Sequence, residues 1–346
     1  MNYEQLLGRL IAFPSFSREE NAAADYLQTF LQEKGLNPYR KGNNVWLLSP
    51  HWDEQKPSIL LNSHIDTVKP VAGWTKDPFK PTKENGRLYG LGSNDAGASL
   101  VTLLQTFLHL SETRQPNNFI FLASCEEEVS GKNGIESVLP QLPAIAFALV
   151  GEPTGMQPAI AERGLMVLDG AVYGKSGHAA RNEGENAIYK ALAIINWFQN
   201  LKFPLQSEWL GSVKATVTMI QAGTQHNVTP DICRFTVDVR SNEFYSNQQL
   251  FDMISKECGC EITARSFRLN SSRIEESHPV VMRAKSLGFN PFGSPSLSDQ
   301  ALMPFPSLKM GPGDSARSHT ADEFVCLEEI EGAENLYFKL LDQLNL

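Results

Sequence analysis

The chain has 346 residues, 42% of them hydrophobic, which suits a globular protein and favours two domains over one. Its 39 acidic residues outnumber 30 basic ones, and the formal net charge of −9 tells against a nucleic-acid backbone or an anionic membrane surface as partner. No apolar run is long enough to span a bilayer, no signal peptide is apparent, and the scattered cysteines Cys125, Cys233, Cys258, Cys260 and Cys326 point to reduced thiols and a cytoplasmic setting.

Ser17 opens a capping-box pattern with Glu20, and Ala23, Tyr26, Leu27, Phe30 and Leu31 follow at helical spacing before Gly35. Val45–Leu48 and Ile59–Leu61 read as strands, and the second runs straight into Asn62-Ser63-His64-Ile65-Asp66-Thr67. Residues 69–90, rich in Pro, Gly and Lys, read as a loop. Gly92-Ser93-Asn94-Asp95-Ala96-Gly97 then leads into an amphipathic helix ending near Leu110. Phe119–Ala123 has the bulk and length of a strand buried on both faces, as in a parallel sheet, and it stops at three consecutive glutamates, Glu126, Glu127 and Glu128. Ala146–Val150 is another such strand, ending in Gly151-Glu152-Pro153.

After Arg163 the pattern becomes strand 165–173, helix 185–201, strands 213–221 and 232–240, helix 247–258 and strand 261–268. That β-α-β-β-α-β order is the ferredoxin-like split arrangement. The α/β texture resumes at His278, with a helix to Leu287, a strand at 306–310, the segment Gly311-Pro312-Gly313-Asp314-Ser315-Ala316-Arg317-Ser318-His319-Thr320 and a closing helix from Leu327. The expected fold is therefore α/β, with a mostly parallel-sheet domain (residues 1–163 and 274–346) into which an α+β domain (residues 164–273) is inserted.

His64, Asp66, Asp95, Glu127, Glu128, Glu152 and His319 all follow apolar strands or open the loops after them. In a parallel sheet those ends share one edge, so residues far apart in sequence converge. Two imidazoles with several carboxylates suit borderline cations such as zinc. The negative charge suffices for two divalent cations sharing a carboxylate, which at about 3.5–4 Å apart can act together on a carbonyl and a water. Taken singly, Asp95 reads as a helix N-cap and Glu152 as an ordinary loop carboxylate; their joint occurrence, in order, at strand ends favours a metal centre.

The set His64-Ile65-Asp66, an Asp in a Gly-rich turn, Glu127-Glu128, Gly151-Glu152-Pro153 and a late His resembles the dinuclear zinc amidohydrolase and peptidase family of acetylornithine deacetylase, succinyl-diaminopimelate desuccinylase, aminoacylase and carboxypeptidase G2. The resemblance spans essentially the whole chain, and 311–324 looks most like the acetylornithine and acetyl-lysine deacetylase branch. It implies that His64 and Glu152 bind one metal, Glu128 and His319 the other, and Asp95 bridges both. It implies Glu127 as general base, and Asp66 as the acceptor that fixes the tautomer of His64. It further implies that His178, in Gly177-His178-Ala179, reaches a partner subunit's active site to stabilise the oxyanion, that Asn227 and Arg240 contact substrate, and that the inserted domain mediates a homodimer and closes over the substrate. Two departures stand out: the turn is Asp95-Ala96-Gly97 where the family often has Asp-Met-Lys-Gly, and Glu126 replaces a frequent Asp.

The expected activity is hydrolysis of an N-acyl amino acid, an N-acetyl or N-succinyl derivative of ornithine, citrulline or lysine, with zinc, or cobalt in its place, as in arginine-type biosynthesis. Arg181, three residues after His178, is a candidate cation for a succinyl carboxylate, or else a solvated loop charge or a partner of Glu183. The rivals are a dipeptidase or carboxypeptidase of the same family and a non-catalytic binding protein on the same scaffold.

Overall fold

A computed structural model describes residues 3–181 and 183–346. The chain divides into two compact units, one formed by residues 1–160, 273–292 and 298–346, the other by 161–272 and 293–297. Among the described residues no helix is long and apolar enough to cross a membrane.

The first unit is built on a large sheet whose centre is parallel. Strand Ser58–His64 lies between Asn118–Ser124 and Phe147–Val150, parallel to both, and Ser307–Lys309 continues the sheet parallel to Phe147–Val150. Antiparallel strands Asn44–Leu48 and Tyr39–Lys41 close one side. Every residue of the three central strands is buried, as expected where both faces are covered. Helices Ala98–Ser111 and Leu327–Leu341 pack against each other, and the former lies on strands Ser58–His64 and Asn118–Ser124.

Two local expectations fail here for identifiable reasons. The capping box at Ser17 does not form: helix Asn21–Glu33 starts at Glu20 without a side-chain cap. Ser17 donates its hydroxyl to Asp66 instead, at 2.7 Å, and buried Glu20 accepts the N–H groups of Arg18 and Glu126. The supposed loop over 69–90 contains a hairpin, Thr82–Glu84 with Arg87–Tyr89, whose second strand also pairs with Phe324–Cys326. Its turn is Asn85-Gly86, both at positive φ (51° and 73°), the conformation an Asn-Gly pair favours in two-residue hairpins.

The second unit has strands in the order Lys214–Ala222, Ile232–Arg240, Met166–Tyr173, Glu261–Ala264, every neighbouring pair antiparallel. With helices Ala187–Asn200 and Asn247–Glu257 this is the ferredoxin-like arrangement. Its core gathers Leu168, Phe198, Phe235, Val237, Leu250 and Ile254. The helices start where local chemistry dictates. Asn186 accepts the Ile188 N–H at 2.9 Å, and Ser246 with Gln249 forms a reciprocal capping box. The last strand stops at Ala264, short of the expected Arg268.

Candidate metal centre

The parallel register sets His64 opposite Ser124 at the carboxyl edge of the sheet. Beyond Ser124 the chain turns sharply: Glu126 takes a positive φ of 56°, and Glu127–Val129 form a 3-10 turn. This reversal separates the three glutamates. Glu126 points to the loop below, where its carboxylate accepts the Asn133 amide at 2.9 Å. Glu127 and Glu128 stay at the edge because Asp66 accepts their N–H groups at 3.0 and 3.1 Å.

His64 is fixed from the same side. Its Nδ1 donates to the Asp66 main-chain carbonyl at 2.9 Å, with the Asp66 carboxylate 3.5 Å away. This leaves Nε2 facing three carboxylates: Asp95 at 3.3 Å, Glu152 at 3.8 Å and Glu127 at 3.9 Å. Asp95 sits in the turn Ser93–Gly97, which folds back so that Gly97 donates to the Gly92 carbonyl at 2.9 Å. A Cβ on Gly97 would come within 2.5 Å of that oxygen, which explains the glycine. His319, half exposed, places Nε2 2.9 Å from Glu128 and 3.7 Å from the second oxygen of Asp95.

The electrostatics are those of a carboxylate cluster short of positive charge. Burial, reinforced by the Asp95 charge, pushes the Glu152 carboxyl up to about 8, although His64 and buried Lys309 oppose the shift. Burial with the charges of Glu152, Asp299 and Glu128 drives Glu127 well above the usual carboxylate range, and Glu128 is raised too, chiefly by burial. Burial alone would lower His64, but Asp66, Asp95, Glu127 and Glu152 together hold it well above its ordinary value. His319 rises to about 9, first through its hydrogen bond to Glu128. Buried carboxylates crowded this closely need a cation. The atoms fit one: in each of the sets His64, Glu127, Glu152 and His64, Asp95, Glu128 the ligand atoms lie within 4.8 Å of one another. Oxygen and imidazole donors of this kind suit a divalent cation of the zinc type.

Two residues that sequence reasoning passed over, Glu323 and Asp299, support this edge, as does Ser17, which the sequence pattern places as a helix cap. Glu323 is buried, and its carboxylate accepts the N–H groups of Gly92, Asn94 and Asp95 at 3.0, 2.9 and 2.9 Å. Asp299 is buried beside Ser124, and Ser17 tethers Asp66. Glu323 stands four residues after His319, in Thr-Ala-Asp-Glu-Phe, but nothing local distinguishes a buried Glu from a surface one.

The remaining candidates belong to the second unit. The Ala179 N–H donates to the Asn227 carbonyl at 3.0 Å and that of Arg181 to the His178 carbonyl at 2.8 Å, so the two loops run side by side. His178 lines an open pocket of about 810 Å³ with His226, Asn186 and Thr229. Arg240 forms a two-pronged ion pair with Asp238 at 2.8 and 3.0 Å.

The sequence matches the peptidase family M20/M25/M40 over residues 60–343. The chain belongs to that family. Among its relatives, a succinyl-diaminopimelate desuccinylase of Wolbachia pipientis wMel is 27% identical, over 78% of this chain and 72% of the relative. An acetylornithine deacetylase of Proteus mirabilis is 26% identical over 98% of this chain and 95% of its own length. The fold is shared with the crystal structure of aminopeptidase PepT from Bacillus cereus, with a TM-score of 0.78 at 19% identity, covering 99% of each chain. The resemblance read from the motifs is thus borne out, and as a member of family M20/M25/M40 the chain is a metal-dependent amidohydrolase.

Proposed function

We propose that this M20-family hydrolase removes the acyl group from a small N-acyl amino acid, an N-acetyl or N-succinyl derivative of ornithine, citrulline or lysine. Two divalent cations, zinc by default and cobalt as a substitute, would be held by His64 with Glu152 and by Glu128 with His319. The observation that carries the reading is Asp95, which turns one oxygen toward each imidazole, 3.3 Å from His64 and 3.7 Å from His319, as a shared ligand would. The desuccinylase and deacetylase names of the relatives support the substrate class.

Bound there, the cations supply Lewis acidity to the scissile carbonyl and make water a better nucleophile near neutral pH. The chain's own residues handle the protons. Glu127 stands beside the ligands on a turn held by Asp66, with its proton affinity raised by burial. It takes a proton as the water oxygen bonds to the carbonyl carbon, and returns it to the amide nitrogen as the C–N bond breaks. The products are a carboxylate and a free amine. Asp66 fixes His64 and aligns Glu127 and Glu128 through their N–H groups.

His178, Asn227, Arg181 and Arg240 complete the reading as contacts from the inserted unit, with His178 serving a partner subunit's site. A homodimer is supported by the free sheet edge at Lys214–Ala222, where Met219 and Ile220 are exposed, and by exposed Tyr189 and Leu192 on helix Ala187–Asn200. A solution mass near the 38.4 kDa of one chain overturns the dimer.

The direct test is amine release from paired N-acetyl-ornithine and N-succinyl-ornithine, with zinc or cobalt and with a chelator control. Chelator-sensitive release supports the deacylase, and the preferred member of the pair names the acyl group. Arg181→Ala is expected to slow succinyl turnover far more than acetyl turnover. Activity confined to dipeptides replaces the deacylase with a peptidase.

A further inference from the structure

His319 has a positive φ of 58°, and its half-exposed imidazole meets Glu128 and Asp95, which belong to the same site. What places the ring there is the backbone of its loop. Asn94, the residue before Asp95, is buried and reaches into that loop. Its Oδ1 accepts the Asp314 N–H at 3.0 Å, and its Nδ2 donates to the Asp314 carbonyl at 3.1 Å and toward the Ser318 hydroxyl at 3.4 Å. The amide thus pairs with both main-chain groups of Asp314, as a neighbouring strand would. Its orientation is fixed, because the N–H needs an oxygen and the carbonyl needs the NH2. Gly313 is at a φ of 94°, and a Cβ there would collide with the Asn94 oxygen, so the loop is built around the amide. Asp314 also bridges to Thr154, two residues after Glu152. One backbone position therefore lies between the segments that deliver Asp95 and Glu152, five residues ahead of His319.

A buried amide whose donors and acceptor all find partners fixes geometry more than it adds stability. Removing it takes away every bond described here and leaves the Asp314 groups without these partners. The Asp95 turn is secured separately, since Glu323 accepts the main-chain N–H groups of Gly92, Asn94 and Asp95, and these survive any change of the Asn94 side chain. Loss of the side chain therefore frees the His319 loop and spares the turn. We propose that Asn94 is a positioning residue for the second cation: it seats His319 against Asp95 and Glu128, and it acts through His319. His64 and Glu152, carried by strand ends, and Asp95, carried by the turn, keep their places without it. This rests on the reading in which Glu128 and His319 hold a second cation.

The test titrates cobalt(II) into metal-free full-length protein and follows its visible spectrum, with the melting temperature in chelator recorded alongside. In Asn94→Ala the first cation is expected to bind within about threefold of the parent, and the second about 10–100-fold more weakly. A merely structural role lowers the melting temperature and leaves both affinities parental; that result overturns the proposal, as does an equal weakening of both. His319→Ala and the double variant complete a cycle, with cobalt raised until His319→Ala saturates. Because Asn94 acts through His319, adding Asn94→Ala to His319→Ala should change the second affinity by less than about twofold. Additive losses overturn that route. Should Asn94→Ala not fold, Asn94→Ser, whose hydroxyl is too short to span both groups of Asp314, is read in the same way. A parent that takes up a single cation removes the two-cation reading and this role with it. A two-cation parent whose Asn94→Ala binds both as tightly removes only the role of Asn94.

Discussion

The carboxylate of Glu323 accepts the backbone N–H of Asp95 at 2.9 Å, and with it those of Asn94 and Gly92. The residue proposed to be shared by two cations is thus held by its main chain, while its side-chain oxygens face His64 and His319. The clamp also joins the Asp95 turn to the segment that carries His319. In Glu323→Gln an amide NH2 must face one of these N–H donors, leaving it unsatisfied at a cost of about 1–3 kcal/mol. Zinc affinity, measured by competition with a chromogenic chelator, is expected to fall about 10–100-fold, as for other groups that orient ligands. Parental affinity would show that Asp95 holds its place without the clamp.

Glu127 and Glu128 are adjacent, yet the geometry gives them different neighbours. Glu128 is bonded to His319 at 2.9 Å, while the Glu127 carboxylate approaches His64 at a longer 3.9 Å. Glu127→Gln is therefore expected to retain its metal and lose turnover by about 10²–10⁴-fold, the range of a general base. Glu128→Gln should lose metal first. Equal metal loss in both variants would make Glu127 a ligand and leave the base unassigned.

Much of this was legible in the chain because two periodicities speak plainly. Uninterrupted apolar runs at Ile59–Leu61 and Phe119–Ala123 mark strands covered on both faces, and their order places His64 and the glutamates on one sheet edge. What stayed hidden are contacts between residues remote in sequence. Ser17 with Glu20 carries a sound local capping signal, but the site recruits both side chains for Asp66 and Glu126. Glu323 and Asp299 look like any surface acid until the fold buries them. The hairpin at Asn85-Gly86 was readable from its turn pair and was obscured by the prolines and lysines around it.

Asp66 joins three parts of the site: Ser17 at 2.7 Å, the N–H groups of Glu127 and Glu128, and His64 through its own carbonyl. The carbonyl survives any substitution, so the side chain's distinct task is to hold the glutamate turn. Asp66→Ala should therefore disturb Glu127 and Glu128 more than His64, lowering kcat by about 10–100-fold. Ser17→Ala, which removes one of the three donors, should cost about 1 kcal/mol of stability with a much smaller loss of rate. Asp66→Ala turning over at the parental rate would show that the turn holds itself.

The cluster also fixes how stability depends on pH when no metal is bound. Glu152 holds its proton up to about 8 in the folded protein, whereas an unfolded glutamate releases it near 4.5. His319 holds its proton to about 9 against an ordinary 6.5, and His64 is shifted in the same direction. Between about pH 5 and 9 the folded state therefore binds more protons than the unfolded one, so stability falls as pH rises. Asp66 and Asp95, lowered from 3.8, act with the opposite sign but only in more acidic solution. A cation displaces these protons, so its binding strengthens with pH. In chelator the melting temperature is thus expected to decline from pH 5 to 8, and the gain on adding zinc should widen over the same range. A chelator-treated protein whose melting temperature stays level or rises across that window would mean that these carboxyls are not packed against one another without metal.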